Sequence, residues 1–209
     1  MKAITVEQVR QMEQKLADGG LVIFPTDTVY GLGCNPESRG AGERLYDLKR
    51  RELSKPSAVL FFELERAFET FNELGPQTRS ALQQLLPGAL TVLLPNPRQL
   101  FPLACGANPT TVGLRVPKLL GCFEALAFIK KPLLQSSANL AGGHDPALLE
   151  DVLPQIRDTV DLELDGGELP GCPSTVIDLR KYEDDGHWEM VRVTGAFSEA
   201  RLEKVLGKT

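Results

Sequence analysis

Short apolar runs, each closed by proline, glycine or a cluster of hydroxyls, alternate with stretches of helical periodicity along this whole chain. No other feature limits the possible folds as strongly. Runs this short, without polar alternation, read as strands buried on both faces. They fall at residues 21–24, 58–62, 90–94, 112–116, 133–135, 160–164, 176–179 and 188–193. Helical spacing fills the gaps. Thr5 and Gln8 have capping-box form, with Val6, Val9, Met12 and Leu16 behind them and Gly19-Gly20 as a stop. Further helices are expected over 40–51, 65–74, 77–86, 119–128 and 147–157, the last capped by Asp145 with Pro146 in first position. Ser198 should cap a final helix to about Leu206. Residues 26–33 read as a loop, and 183–186 as the turn of a hairpin. Interleaved helices and strands imply an α/β fold around a mixed sheet, and the late hairpin argues against a purely parallel, doubly wound one.

The chain has 209 residues, which fits one large domain over 1–209. Its formal net charge of −5 argues against a protein that coats nucleic acid, although a local basic cleft fits inside an acidic shell. Cys34, Cys105, Cys122 and Cys172 form no C-x-x-C pair and only His144 and His187 could assist them, so no metal site is expected. The thiols are expected to be reduced. The longest apolar runs are too short to span a bilayer and no signal peptide is visible, so a cytoplasmic protein without a membrane partner is expected. The phosphate-loop fingerprint is missing, and Gly31-Leu32-Gly33 runs into Cys34-Asn35-Pro36 rather than a helix start.

Polar loops follow the apolar runs, and each has two readings. PTDTVYGLG (25–33) is either a tight turn capped by its own side chains or part of a site. KRRELSKP (49–56) is either a solvated basic helix end or a polyphosphate clamp built on Arg51 and Lys55. In TVGLRVP (111–117), Arg115 interrupts an apolar strand, so it either meets an internal carboxylate or awaits an anionic ligand. SSAN (136–139) is either a capping turn or a polar wall, and neither histidine is placed to make a serine nucleophilic. The glycines at 166, 167 and 171 imply close backbone approach, to a ligand or to another strand.

In this order, PTDTVYGLG, KRRELSKP, PGALTVLLP (87–95), TVGLRVP, SSANLAGG (136–143) and STVIDL (174–179), followed by Arg192 and Gly195, resemble the YrdC-like family over about residues 5–197. The resemblance implies a twisted mixed parallel/antiparallel sheet flanked by helices, with a large concave cleft. It implies synthesis of threonylcarbamoyl-adenylate from L-threonine, bicarbonate or CO2 and ATP with Mg2+, with release of pyrophosphate. A separate transferase complex then uses the product to modify an adenosine of tRNA. Residue by residue, it places Thr28, Arg115 and Ser174 at threonine, and Arg51, Lys55, Thr111, Ser137, Asn139 and Arg192 at ATP. No residue serves as a covalent nucleophile. Weak RNA binding by the same cleft, without turnover, is the alternative, as is a paralogue of altered activity. The chain departs from the family pattern at Ser57 (commonly Leu), Leu60 (frequently His) and Ala141 (usually Ser). It is expected to lack the extra C-terminal domain of longer relatives.

Overall fold

The computed structural model describes residues 1–119 and 121–208. The first helix, α1 (Val6–Ala17), carries the expected capping box and buries Val9, Met12 and Leu16. The run after it forms β1 (Val22–Phe24), buried throughout. Residues 26–33 are only partly loop, because Gly31–Cys34 is a second strand, β2, paired with β1. Its glycines suit a strand here for a steric reason. A Cβ on Gly33 would stand 2.9 Å from the Phe24 ring and 3.0 Å from Leu133. Glycine is used to admit an aromatic ring, not to turn the chain.

Helix α2 (Arg39–Leu48) is capped by Ser38 and stops three residues earlier than expected, where Arg50 takes a left-handed φ of 49°. Then follow β3 (Ala58–Leu60), α3 (Leu64–Thr70), α4 (Pro76–Leu85), β4 (Leu90–Pro95), the single turn α5 (Pro102–Cys105), and β5 (Thr111–Arg115). The helix expected over 119–128 is a 3-10 helix, Gly121–Phe128, and Leu120 lies outside the described residues. Strand β6 (Leu133–Ser137) follows.

The helix expected over 147–157 does not form. Leu149–Asp151 makes a 3-10 turn, Val152 is extended, and α6 is the short Pro154–Arg157. Pro154 supplies no N–H and disfavours helical geometry at Leu153, which splits the segment. Asp145 caps nothing there; Asp151 instead accepts from the Ala147 and Leu148 amides. Strands β7 (Leu162–Glu163), β8 (Thr175–Asp178) and β9 (Glu189–Arg192) complete the sheet. The turn between β8 and β9 holds one helical turn, α7 (Tyr182–Asp185), closed by left-handed Gly186. The pair is antiparallel, as a hairpin requires. Ser198 occupies the N-cap position of α8 (Glu199–Leu206) without a side-chain bond to it.

The sheet order is β7-β1-β2-β6-β3-β5-β4-β8-β9. Ladders β7–β1, β3–β5 and β4–β8 are parallel and the others antiparallel. The expected mixed sheet is therefore observed. Among the described residues, no helix is long and apolar enough to cross a membrane.

Candidate functional site

The central strands supply the floor of a cleft of about 510 Å³. Side chains alternate across a strand, so the register decides which share a face. Ala58 lies beside both Gly113 and Gln135, Gly113 beside Leu93, and Thr91 beside Arg115 and Val176. All seven line the cleft. Ala58 and Gly113 keep its middle empty. A Cβ on Gly113 would meet nothing closer than 3.6 Å, so the fold does not demand glycine there. The walls come from Thr28 and Val29, from Arg51, Pro56 and Ser57, from Ser136, Ser137 and Asp145, and from Pro173, Ser174, Val191 and Arg192.

Arg115 is 3% exposed and meets an internal carboxylate, the first of the two readings made of it. One Nη donates to Asp27 Oδ1 at 2.7 Å, to Thr28 Oγ1 at 2.6 Å and to Thr26 Oγ1 at 3.4 Å. Asp27 is itself held by the Lys118 amide at 2.8 Å. Yet Arg115 Nε is buried without a partner. Burial pushes the guanidinium pKa down, Asp27 opposes that, and the nearby charge of Arg192 adds to it. Two cations therefore lie close together, and Asp27 is the carboxylate paired with Arg115.

Arg192 donates to the Ser174 carbonyl at 2.8 Å and to its Oγ at 3.3 Å. Ser174 Oγ lies 2.8 Å from Thr91 Oγ1. Arg51 donates through Nη2 to the Pro56 carbonyl at 2.7 Å, which folds the loop over, while its Nε has no partner. Gly106 braces that loop from behind. Its φ is +62°, and a Cβ there would stand 2.4 Å from the Ser54 carbonyl. Ser57 Oγ is likewise buried and unpartnered.

Thr28, Arg51, Arg115, Ser137, Ser174 and Arg192 thus come together on one cleft, while Lys55, Thr111 and Asn139 do not line it. Lys55 is exposed and engages only through its backbone. Thr111 lies two positions beyond Gly113 on the same face, accepting from Asn108 at 3.0 Å and Arg180 at 3.4 Å. Asn139 stands behind the wall and ties Ser137 to Asp145. The glycines of the 165–171 loop serve chain packing. Gly166 lies against Pro25 and the Phe123 ring, where a Cβ would come within 2.6 and 2.8 Å, and Gly167 against the backbone of Met1 and Lys2.

Sequence reasoning passed over Asp27, Gln135, Thr91 and Lys49. Lys49 carried a signal all the same. It stands four residues after Leu45, which stands four after Ala41, so it falls on the apolar face of α2. It is 1% exposed.

Residues 14–193 match the Sua5/yciO/yrdC family model, described as telomere recombination. Three proteins named threonylcarbamoyl-AMP synthase are similar. That of Pyrococcus abyssi is 29% identical over 92% of this chain and 55% of its own length. That of Bacillus subtilis is 30% identical over 96% and 57%. That of Chromohalobacter salexigens is 32% identical over 86% and 96%. Two solved structures share the fold. The P. abyssi Sua5 complexed with L-threonine superposes with a TM-score of 0.84 at 28% identity, over 99% of this chain and 59% of that one. Escherichia coli YciO gives 0.81 at 24% identity, over 95% and 94%. The chain thus spans a little over half the length of the first two curated relatives.

Proposed function

Because the chain belongs to the Sua5/YciO/YrdC family, we propose that it makes threonylcarbamoyl-AMP and pyrophosphate from L-threonine, bicarbonate or CO2, and ATP. One observation carries the reading to the cleft itself. Among the described residues, the buried side-chain atoms without a hydrogen-bond partner are Arg51 Nε, Ser57 Oγ and Arg115 Nε. All three residues line this cleft. Each such atom costs about 1–3 kcal/mol unpaired, and the same lining carries Arg51, Arg115 and Arg192 against one carboxylate, Asp145, which favours a polar, anionic occupant.

In this reaction the threonine amine takes up CO2 as a carbamate. A carbamate oxygen then attacks the α-phosphorus, and the bond to pyrophosphate breaks with its electron pair leaving on oxygen. The chain supplies no nucleophile, so the serines of 136–139 bind and do not attack. Catalysis is positioning and charge stabilisation. Arg115, held by Asp27, faces the threonine carboxylate, and Thr28 and Ser174 orient the amino acid. Arg51 and Arg192 stand against the phosphates, Ser137 faces the nucleotide with Asn139 holding it from behind, and Lys55 and Thr111, outside the lining, complete the nucleotide side. Ser137 Oγ spends its proton on Asn139 at 2.7 Å, so it offers lone pairs, which suit a ribose hydroxyl better than a phosphate. The carboxylates near the floor, Asp27 and Asp145, are both already hydrogen-bonded, and no group of three metal-binding side chains occurs among the described residues. That donor set suits Mg2+ arriving on the triphosphate rather than a resident ion. The product would pass to a tRNA-modifying transferase complex in the cytoplasm, with the 1–209 domain working as one unit.

The test is pyrophosphate release from ATP with each amino acid in turn, with and without bicarbonate. Release that needs threonine and bicarbonate together is expected. No release with any amino acid, alongside salt-sensitive binding of structured RNA, would replace this reading with a binding module.

A further inference from the structure

Lys49 follows the last residue of α2 and sends its side chain into the interior, where a lysine is seldom found unpaired. Its ammonium meets three acceptors, all on one segment. They are the Ser137 carbonyl, the Asn139 carbonyl at 2.6 Å, and Asn139 Oδ1 at 3.1 Å. The orientation of that amide is set independently. Its Nδ2 donates to the Gly143 carbonyl at 2.8 Å and to Asp145 at 3.2 Å, and Ser137 Oγ donates to its Oδ1. Three acceptors converging on one nitrogen match the three protons of an ammonium. A neutral amine has two protons and would turn a lone pair on a carbonyl. The Lys49 carbonyl meanwhile accepts from the Ala141 amide at 3.0 Å. One residue therefore grips 137–141 from both its backbone and its side chain.

Ser136, Ser137 and Asp145 line the cleft, and Lys49 does not. Whatever Lys49 does for a ligand, it does through them. We propose that Lys49 is a positioning residue, whose ammonium beneath residues 137–139 sets where Ser136, Ser137 and Asp145 stand in the cleft, so that binding there requires Lys49 to carry its proton.

The surroundings place that proton within reach of neutral pH. Burial pulls the Lys49 pKa down to about 7, Arg51 pulls the same way, and Asp145 opposes them. The other titratable groups on the elements around it point elsewhere. The Tyr46 hydroxyl of α2 donates to the Lys55 and Leu103 carbonyls. Tyr30, whose carbonyl accepts from the Ala138 amide, sends its hydroxyl to the Gly167 carbonyl. His144 is exposed beside Asp145 and is replaced in the measurement, so that Lys49 is followed by itself.

The full chain carrying His144→Gln is the reference, compared with Lys49→Arg and Lys49→Met in that background. NMR of 13Cε-labelled lysine reads the titration of Lys49 directly, and the amides of residues 137–141 report the segment. In the reference those amides should shift along the Lys49 curve. In Lys49→Met they should be insensitive to pH and exchange faster with solvent. ATP affinity by calorimetry should fall about tenfold from about pH 6 to about pH 9 in the reference, and change little in Lys49→Arg, which cannot lose its charge. Amides that ignore the Lys49 titration would overturn the proposal, as would a Lys49→Met protein that binds ATP like the reference at every pH. The ATP arm rests on the function proposed above, and the NMR arm does not. Amides that follow Lys49 in a protein that never binds ATP would support the positioning role and sink the nucleotide reading.

Discussion

Arg115 was conspicuous in the sequence because a cation inside an apolar strand demands a reason. The pair with Asp27 is one, the proposed threonine contact is a second, and they make separate predictions. As half of a buried pair with Asp27, its loss leaves an uncompensated carboxylate, which costs about 3–5 kcal/mol of stability. As a ligand contact, its loss should abolish threonine-dependent pyrophosphate release, by about 100-fold or more, while ATP still binds. Arg115→Ala combined with Asp27→Asn separates the two effects, because the second change removes the stranded charge. Activity restored in the double variant would assign Arg115 a structural role only. The basic loop divides similarly. Arg51 reaches the cleft wall and Lys55 is exposed. Calorimetry should show Arg51→Ala weakening ATP binding about tenfold and Lys55→Ala only about two- to fivefold, the range of an exposed charge. Equal losses would put Lys55 in the clamp on the same footing as Arg51. Lys49 escaped notice for a simple reason. Composition placed it in a run of cations, and only its spacing from Ala41 and Leu45 separated it from its solvated neighbours.

Elements were legible where apolar runs were short and cleanly stopped, as at β1, β4 and β5. They were misread where one residue type serves two purposes. Glycine marked 26–33 as loop, although Gly31 and Gly33 lie in a strand under Phe24. Helical spacing suggested 147–157, although Pro154 in its middle carried the veto. The floor of the cleft was illegible for a deeper reason. Ala58, Gly113 and Gln135 come together through register across β3, β5 and β6, and register is a property of pairs. That register makes a prediction for Gly113→Val. The Cβ would meet only ordinary contacts, and a β-branched residue suits a strand, so folding should be retained. The new side chain would stand on the cleft floor between Ala58 and Leu93. The expected result is a melting temperature within a few degrees of the parent and loss of most ATP and threonine binding. Retained binding in a folded Gly113→Val protein would move the ligand off the floor.

Across the whole molecule, the formal charge of −5 conceals a cleft walled by Arg51, Arg115 and Arg192, because a small anion feels those neighbours before the distant total. These cations come from distant parts of the chain. Arg192 stands on β9 at one edge of the sheet, and the C-terminal segment reaches Trp188, the residue before that strand. Leu202 and Leu206 of α8 are buried, Arg201 donates to the Gln84 carbonyl at 3.0 Å, and the Trp188 indole donates to the Gly207 carbonyl at 3.0 Å. Removing residues 198–209 takes away both leucines, each worth about 1.5–3 kcal/mol, and uncovers the indole. Trp188 is the chain's sole tryptophan, so its emission reports on this edge alone. The truncated protein should show red-shifted emission, a lower midpoint in urea, and weaker ATP binding as Arg192 loses its support. Arg115 on β5, with Thr28 and Asp27 in the loop between β1 and β2, lies away from that edge, so the proposed threonine binding should persist. Exposure of Trp188 without any loss of ATP affinity would show that β9 holds Arg192 through its ladder with β8, and that the helix serves stability alone.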